Sequence, residues 1–277
     1  MYHHKLKAMG CPCEILIQSK DIIVCNSIIR DTIVEINRIE YKYSRYIKGS
    51  FLSNLNLYSK AELDDETYYL IQIADNAYNL SNGLFDITSG ILRKVWSFTP
   101  NASFPNKKQI QDLIPFIGWR KVFFNKNSII LPKGFEIDLG GIVKEYAVDK
   151  IVNDLNNKYK VPFLINLGGD LSVSDTRGEI WKIGIDDVSE KNIIIDLTKG
   201  SIATSGDTYR YIIQNNKKYS HILNPFTGYP IENPPKSVTV IAKNCIIAGL
   251  ITTIAILQGK NAEVFLKKQK LKYYIQV

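Results

Sequence analysis

Three glycine-bearing segments stand where short apolar runs end: Ile137-Asp138-Leu139-Gly140-Gly141, Asn166-Leu167-Gly168-Gly169-Asp170 and Ala203-Thr204-Ser205-Gly206-Asp207. Glycine reaches backbone conformations closed to other residues and lets another group approach the main chain. The first segment opens directly into a helical pattern, and free N–H groups at a helix start attract phosphate. The second follows a strand pattern. The third adds two hydroxyls able to donate to phosphate oxygens. Each of these turns is either a simple chain reversal or a loop suited to an anionic, phosphate-bearing ligand. None of them is a GxGxxG or a Walker loop, so the usual nucleotide-binding folds are not indicated.

Between the turns, hydrophobic period predicts helices over Asp21–Tyr43, Glu66–Leu80 and Ile142–Tyr159, and a buried helix from Asn244 to Gly259. Asn82-Gly83 supplies the residue types expected after a helix end. Val122–Phe124 with Ile129–Leu131, and Tyr209–Gln214 with Lys218–Leu223, read as hairpins, the second turning at Asn215-Asn216. Phe163–Asn166 and Val238–Ala242 read as strands. Helices mixed with hairpins predict an α+β chain with mixed and antiparallel sheets and packed helices. The 277 residues suit one domain over 1–277 or two intimately packed lobes.

The formal net charge of +8 suits an anionic ligand. The densest basic cluster, Lys267, Lys268, Lys270 and Lys272, reads as a solvated helix face, and no nucleic-acid-binding signature accompanies it. Cys11-Pro12-Cys13 fits neither a zinc spacing nor CxxC, so Cys11, Cys13, Cys25 and Cys245 read as reduced structural thiols. The apolar run Cys245–Leu257 is shorter than the ~20 residues of a membrane span. With no signal-like start, the expectation is a cytoplasmic protein with no direct membrane insertion. His221, where a strand pattern runs into Asn224-Pro225-Phe226-Thr227-Gly228, is either packed or catalytic.

The order of the segments adds more than any one of them. Ala8-Met9-Gly10 is followed by Tyr46-Ile47-Lys48-Gly49-Ser50 and Leu55-Asn56. Gly83-Leu84-Phe85-Asp86-Ile87-Thr88-Ser89-Gly90 then follows a GxFDxTxG pattern, with Trp96 after it. Asp138-Leu139-Gly140-Gly141-Ile142-Val143-Lys144, Asn166–Asp170, Ala203–Asp207 and His221–Pro230 complete the series. Collinear over nearly the whole chain, this series resembles the ApbE family of FAD:protein FMN transferases.

The resemblance implies a T-fold-like α+β architecture and FAD held by Met9, Tyr46, Leu84, Phe85, Asp86, Asp138, Lys144 and Leu223. It implies that Mg²⁺ bridges the FAD pyrophosphate, and that His221 acts in moving FMN to a hydroxyl of an acceptor flavoprotein with release of AMP. The acceptor would carry a Ser/Thr-Gly-Ala-Ser/Thr target. The family's metal shell comprises a backbone carbonyl at the position of Gly141, a carboxylate, and a threonine matching Thr253.

The chain departs from that pattern mildly at Cys11, where the family usually has threonine, and at Asn224, where aspartate is frequent, and more sharply at two places. Gly249 stands where the metal-ligand aspartate belongs, and Glu145 stands where the family commonly has glycine. Magnesium favours carboxylate and phosphate oxygens, so a weakened metal site is expected, and Gly249→Asp is expected to raise metal affinity. Glu145 either compensates or points to solvent. The readings that follow are an active Mg-dependent flavin transferase, an FAD-binding member with impaired or no transfer, and a partner-binding member with an empty cleft.

Overall fold

The computed structural model describes residues 1–99, 103–175, 180–185, 193–206, 211–214 and 217–276. Strands β1 (Tyr2–Ala8) and β2 (Cys11–Ile17) form a hairpin whose turn residues, Met9 and Gly10, both have positive φ, at 50° and 73°. The long helix α1 (Ile22–Tyr43) starts where the Asp21 carboxylate accepts from the N–H groups of Ile23 and Val24. After it come α2 (Phe51–Tyr58), β3 (Lys60–Glu62) and α3 (Asp65–Leu80), with α2 and α3 capped by Ser50 and Asp64. A 3₁₀ helix (Ile87–Lys94), α4 (Lys107–Gln111), β4 (Phe123–Phe124) and β5 (Ser128–Ile130) lead to α5 (Val143–Lys158).

The second half supplies β6 (Phe163–Leu167), β7 (Asp170–Val173), β8 (Trp181–Ile185), β9 (Ile193–Leu197), β10 (Gly200–Gly206), β11 (Tyr211–Gln214), β12 (Lys217–Ser220) and β13 (Ser237–Ala242). Helices α6 (Cys245–Leu257) and α7 (Ala262–Gln269) and strand β14 (Lys272–Gln276) close the chain. Seven strands form the main sheet in the order β1-β2-β6-β7-β10-β13-β14, and every pairing among the described residues is antiparallel.

Strand period 2 assigns the two faces of this sheet. Cys13, Ile15, Ile17, Phe163, Ile165 and Leu167 face one core with α1 and α5. Ala203, Val238 and Val240 face α6. The alternate residues Leu164, Leu171, Val173 and Ile202 meet Trp181, Ile185, Ile195 and Leu197 of the β8–β9 hairpin on the opposite face. Each fully buried isoleucine or leucine in these layers contributes about 1.5–3 kcal/mol relative to exposure. At the free edge, β1 turns His3, Lys5 and Lys7 outward, a charge pattern that discourages edge-to-edge pairing.

The segment Asn166–Asp170 is a hairpin with the two-residue turn Gly168-Gly169, whose φ values of 66° and 98° suit a turn matching strand twist. The segment Ala203–Asp207 differs from the expected turn. Ala203 to Gly206 belong to β10 and pair with β13, so Thr204 and Ser205 are strand residues, and Asp207 lies outside the described residues. Gly206 serves close strand approach, because a Cβ there would meet the Lys236 carbonyl oxygen at 2.5 Å. The C-terminal lysines do not share one helix face: Lys267 and Lys268 end α7, Lys270 takes a left-handed cap and Lys272 starts β14. The hairpin read over Tyr209–Leu223 forms as β11–β12, with Tyr209 and Asn215-Asn216 outside the described residues. Among the described residues, no helix is long and apolar enough to cross a membrane.

Candidate active site

The segment before α5 is held from both sides. The Asp138 N–H donates to the Ile87 carbonyl at 2.8 Å, and the Ile137 N–H donates to the Asn56 side chain at 2.8 Å. Leu139 then accepts from the N–H groups of Ile142 and Val143. Ile142 offers no side-chain cap to α5, whereas α1, α2, α3 and α6 each carry one. The helix therefore starts without a side-chain cap, and the one acidic residue of its first turn is Glu145. Gly141 sits beneath the Phe85 ring, where a Cβ would meet Phe85 Cζ at 3.3 Å.

Asp138 and Tyr46 are joined through Arg45, which the sequence reading passed over. The Arg45 guanidinium pairs with the Asp138 carboxylate, donates to the Tyr46 hydroxyl at 2.9 Å and lies 5.0 Å from the Tyr46 ring centroid. Asp138 also accepts from the Gly140 N–H at 3.0 Å. Tyr46 is 79% exposed, so its ring is open to solvent beside Arg45. The sequence signal for Arg45 was its place beside Tyr46 in the motif.

Asp86 has a different setting from the other candidates. Its Oδ1 accepts from the Thr88 N–H and hydroxyl, and its Oδ2 accepts from the Trp119 N–H. Both oxygens are thus engaged in holding the loop that carries Leu84 and Phe85. Met9, in the left-handed region, packs against the main core from the β1–β2 turn. That turn lies beside the β6–β7 turn, since a Cβ on Gly168 would meet the Cys11 side chain at 2.7 Å. None of the four cysteines forms a disulfide.

Lys144 reaches across from α5 to the Asp170 carboxylate at the start of β7. Burial alone would lower the ammonium, but Asp170 and Glu145 outweigh it and hold Lys144 above the usual lysine range. Glu145 turns the opposite way from the solvent option: it is 6% exposed and lies against α6. A Cβ on Gly249 would meet Glu145 Oε1 at 2.9 Å and Cδ at 3.0 Å, with Cγ closer still. The volume that a side chain at 249 would use is thus filled by the Glu145 carboxyl.

Glu145 Oε2 makes no hydrogen bond among the described residues. Burial, reinforced by Asp170, pushes this carboxyl up to about 7. One turn after Gly249, the Thr253 hydroxyl lies 3.2 Å from Ser205 Oγ, which also meets Thr252 Oγ1 at 2.9 Å. The start of α6 is fastened to α5 by Asp149, whose carboxylate accepts from the N–H groups of Cys245 and Ile246 at 2.6 and 2.9 Å.

His221 and Leu223 belong to a neighbouring group. His221 meets the Phe98 ring edge-on at a centroid distance of 6.3 Å, and Leu223 bridges to Pro230 beside Trp96. The turn between them and Pro230 leans on the Gly83 loop, where a Cβ would meet Phe226 Cζ at 3.1 Å. The structure thus gathers Tyr46, Phe85, Asp138, Gly141 and Lys144 around the start of α5, with Thr253 on the adjoining α6. Met9 lies in the β1–β2 turn beside the β6–β7 turn that ends at Asp170, the partner of Lys144, while His221 and Leu223 lie apart from this group against Phe98, Trp96 and Pro230.

Residues 9–275 match the model of the ApbE family. The chain is 29% identical over 239 residues to the FAD:protein FMN transferase of Vibrio cholerae serotype O1, covering 81% of this chain and 71% of the relative. It is 30% identical over 237 residues to the protein of that name from Chlamydia pneumoniae, covering 79% and 74%. A crystal structure of the ApbE protein from Thermotoga maritima superposes with a TM-score of 0.88 at 30% identity, covering 99% of this chain and 93% of that one. The flavin transferase ApbE from Vibrio cholerae gives 0.85 at 24% identity, covering 99% and 92%, a likeness of fold.

Proposed function

The chain belongs to the ApbE family, and from that premise we propose that it is an FAD:protein FMN transferase. The single observation that carries the reading is the gathering of the family's motif residues around the uncapped start of α5. An α+β scaffold alone hosts many activities, so the site has to bear the argument.

In this reading Tyr46, steadied by Arg45, stacks on the isoalloxazine ring, with Met9, Leu84, Phe85 and Leu223 lining the flavin. Asp138 orients polar groups of the ligand, and Asp86 acts by fixing the Leu84–Phe85 loop. The pyrophosphate lies at the N–H groups of the α5 start, near the Lys144 charge. Gly141 has no side chain, which lets its carbonyl and the ligand come close.

The residues present fit a divalent cation: Glu145 Oε2 is a buried carboxylate oxygen with no hydrogen-bond partner among the described residues, in the first turn of α5 just after Gly141. Gly141, through its carbonyl, and Thr253, through its hydroxyl, would be the other holders. When bound, Mg²⁺ supplies neutralisation of the pyrophosphate charge. The hydroxyl oxygen of a Ser/Thr-Gly-Ala-Ser/Thr segment on the acceptor forms a bond to the phosphorus on the FMN side. The bond from that phosphorus to the bridging oxygen breaks, and AMP leaves with the electron pair. His221 takes the hydroxyl proton. In-line positioning and charge neutralisation provide most of the acceleration in such transfers.

Gly249 is the one feature that favours the second reading, an FAD-binding protein without transfer. The experiment is incubation of the purified chain with FAD, Mg²⁺ and an acceptor bearing the target segment. Flavin fluorescence that stays with the acceptor on a denaturing gel supports the transferase. FAD retained by the chain with a dark acceptor supports the binding reading.

A further inference from the structure

Gly249 lies inside α6, where glycine costs about 1 kcal/mol relative to alanine. The helix tolerates it beside one particular neighbour. The Glu145 carboxyl, entering from α5, takes the room that a side chain at 249 would use, with Oε1 2.9 Å and Cδ 3.0 Å from the position of a Cβ. The two departures from the family pattern, a glutamate gained at 145 and an aspartate missing at 249, thus meet at a single place between two helices.

The charged groups that act on Glu145 at that place are Asp170, Lys144 and Asp149. Lys144 is committed to Asp170, and Asp149 is satisfied by the start of α6. Glu145 is left 6% exposed with Oε2 unpartnered among the described residues. Buried carboxylate oxygens carry a large desolvation cost unless a donor or a metal offsets it.

We propose that in this chain the protein carboxylate of the metal site has moved from α6 to α5, with Glu145 serving, beside the Gly141 carbonyl and the Thr253 hydroxyl, as the ligand that position 249 provides in the family. Glu145 lies in the first turn of α5, just after Gly141, and Thr253 follows Gly249 by one turn on α6, so the carboxylate stays between the same two helices. A hard divalent cation with oxygen ligands suits the set. The inference rests on the Mg-dependent reading of the site, and its test separates the two.

The test measures Mn²⁺ binding to the full chain, with and without FAD, by the loss of the free-ion electron paramagnetic resonance signal. FAD binding without metal is followed in parallel by flavin fluorescence. Glu145→Gln, close in shape but neutral, is expected to weaken Mn²⁺ binding at least tenfold while metal-free FAD binding stays within twofold. Gly249→Asp alone is expected to gain nothing, because two carboxylates then compete for one space. The exchange Glu145→Gly with Gly249→Asp is expected to return Mn²⁺ affinity to within a few-fold of the starting chain. Wild-type Mn²⁺ affinity in Glu145→Gln, or absence of Mn²⁺ binding by the starting chain with FAD, overturns the proposal. Should the exchanged chain fail to fold, Glu145→Gln decides alone. Glu145-dependent Mn²⁺ binding without FMN transfer to any acceptor leaves this inference standing and removes the transferase reading.

Discussion

The carboxyl of Glu145 and the α-carbon of Gly249 share one small volume, such that a Cβ at 249 would lie 2.9 Å from Glu145 Oε1. Replacing glycine by alanine inside a helix ordinarily adds about 1 kcal/mol of stability. Here overpacking, at about 1–3 kcal/mol, opposes that gain. Gly249→Ala is predicted to lower stability by up to about 2 kcal/mol in the starting chain and to raise it by up to about 1 kcal/mol in a Glu145→Ala background. Urea denaturation of the four chains measures the coupling, and additive effects would mean the two positions do not touch.

Arg45 offers a second check. Its guanidinium faces the Tyr46 ring, donates to the Tyr46 hydroxyl and pairs with Asp138. Arg45→Ala is predicted to weaken FAD binding about tenfold, in line with the loss of one stacked cation and its hydrogen bonds. Arg45→Lys recovers only part, since an ammonium cannot serve both partners with a planar fork. Fluorescence titration with FAD gives the dissociation constants, and equal constants for all three chains would remove Arg45 from the site.

The third prediction concerns acid. Glu66 on α3 accepts from Arg38 and Lys42 of α1 and from Tyr146 of α5, the last at 2.7 Å. Burial alone would raise its carboxyl, but the donors outweigh burial and hold it well below the usual carboxylate range. A depressed folded value means that the stabilisation is present above the unfolded value of about 4.3 and is lost as pH falls below it. Glu66→Gln is predicted to cost about 1–3 kcal/mol at neutral pH, with the difference from the starting chain shrinking below about pH 4. Arg38 is 41% exposed, so the lower end of that range is favoured. Denaturation at pH 7 and pH 3 checks it, and a pH-independent difference would contradict the ion-pair account.

Asp149 sets the relation of the two helices that flank the proposed metal. Its two short hydrogen bonds to the start of α6 are charge-assisted, and losing them through Asp149→Ala is predicted to cost about 1–3 kcal/mol. Because α6 then loses its anchor to α5, Mn²⁺ binding should fall together with stability. Unchanged Mn²⁺ affinity in a destabilised chain would show that the metal residues are positioned by other contacts.

Local patterns made much of the fold legible before any coordinates. The helical stripe from Asp21 to Tyr43 appears as Ile22–Tyr43, and the Gly168-Gly169 pair forms the two-residue turn its composition suggests. The edge strands β1 and β14 were missed, because their half-buried lysine- and tyrosine-bearing alternation gives a weak apolar signal. Ala203–Gly206 read as a turn because glycine there admits close strand approach, which a single chain position does not distinguish from bending. At the site, the sequence exposed both departures, Glu145 and Gly249, as separate facts. Their meeting depends on the packing of α5 against α6 across roughly a hundred residues of chain, which no local period encodes.

The most direct measurement is the amount of AMP released against the amount of FMN attached, in one mixture of the chain, FAD, Mg²⁺ and an acceptor with the Ser/Thr-Gly-Ala-Ser/Thr segment. The predicted result is equal quantities of the two products, both abolished by chelation and both strongly reduced in Glu145→Gln. Bound FAD with neither AMP nor modified acceptor, under conditions where the acceptor is a substrate for a known family member, would contradict the account.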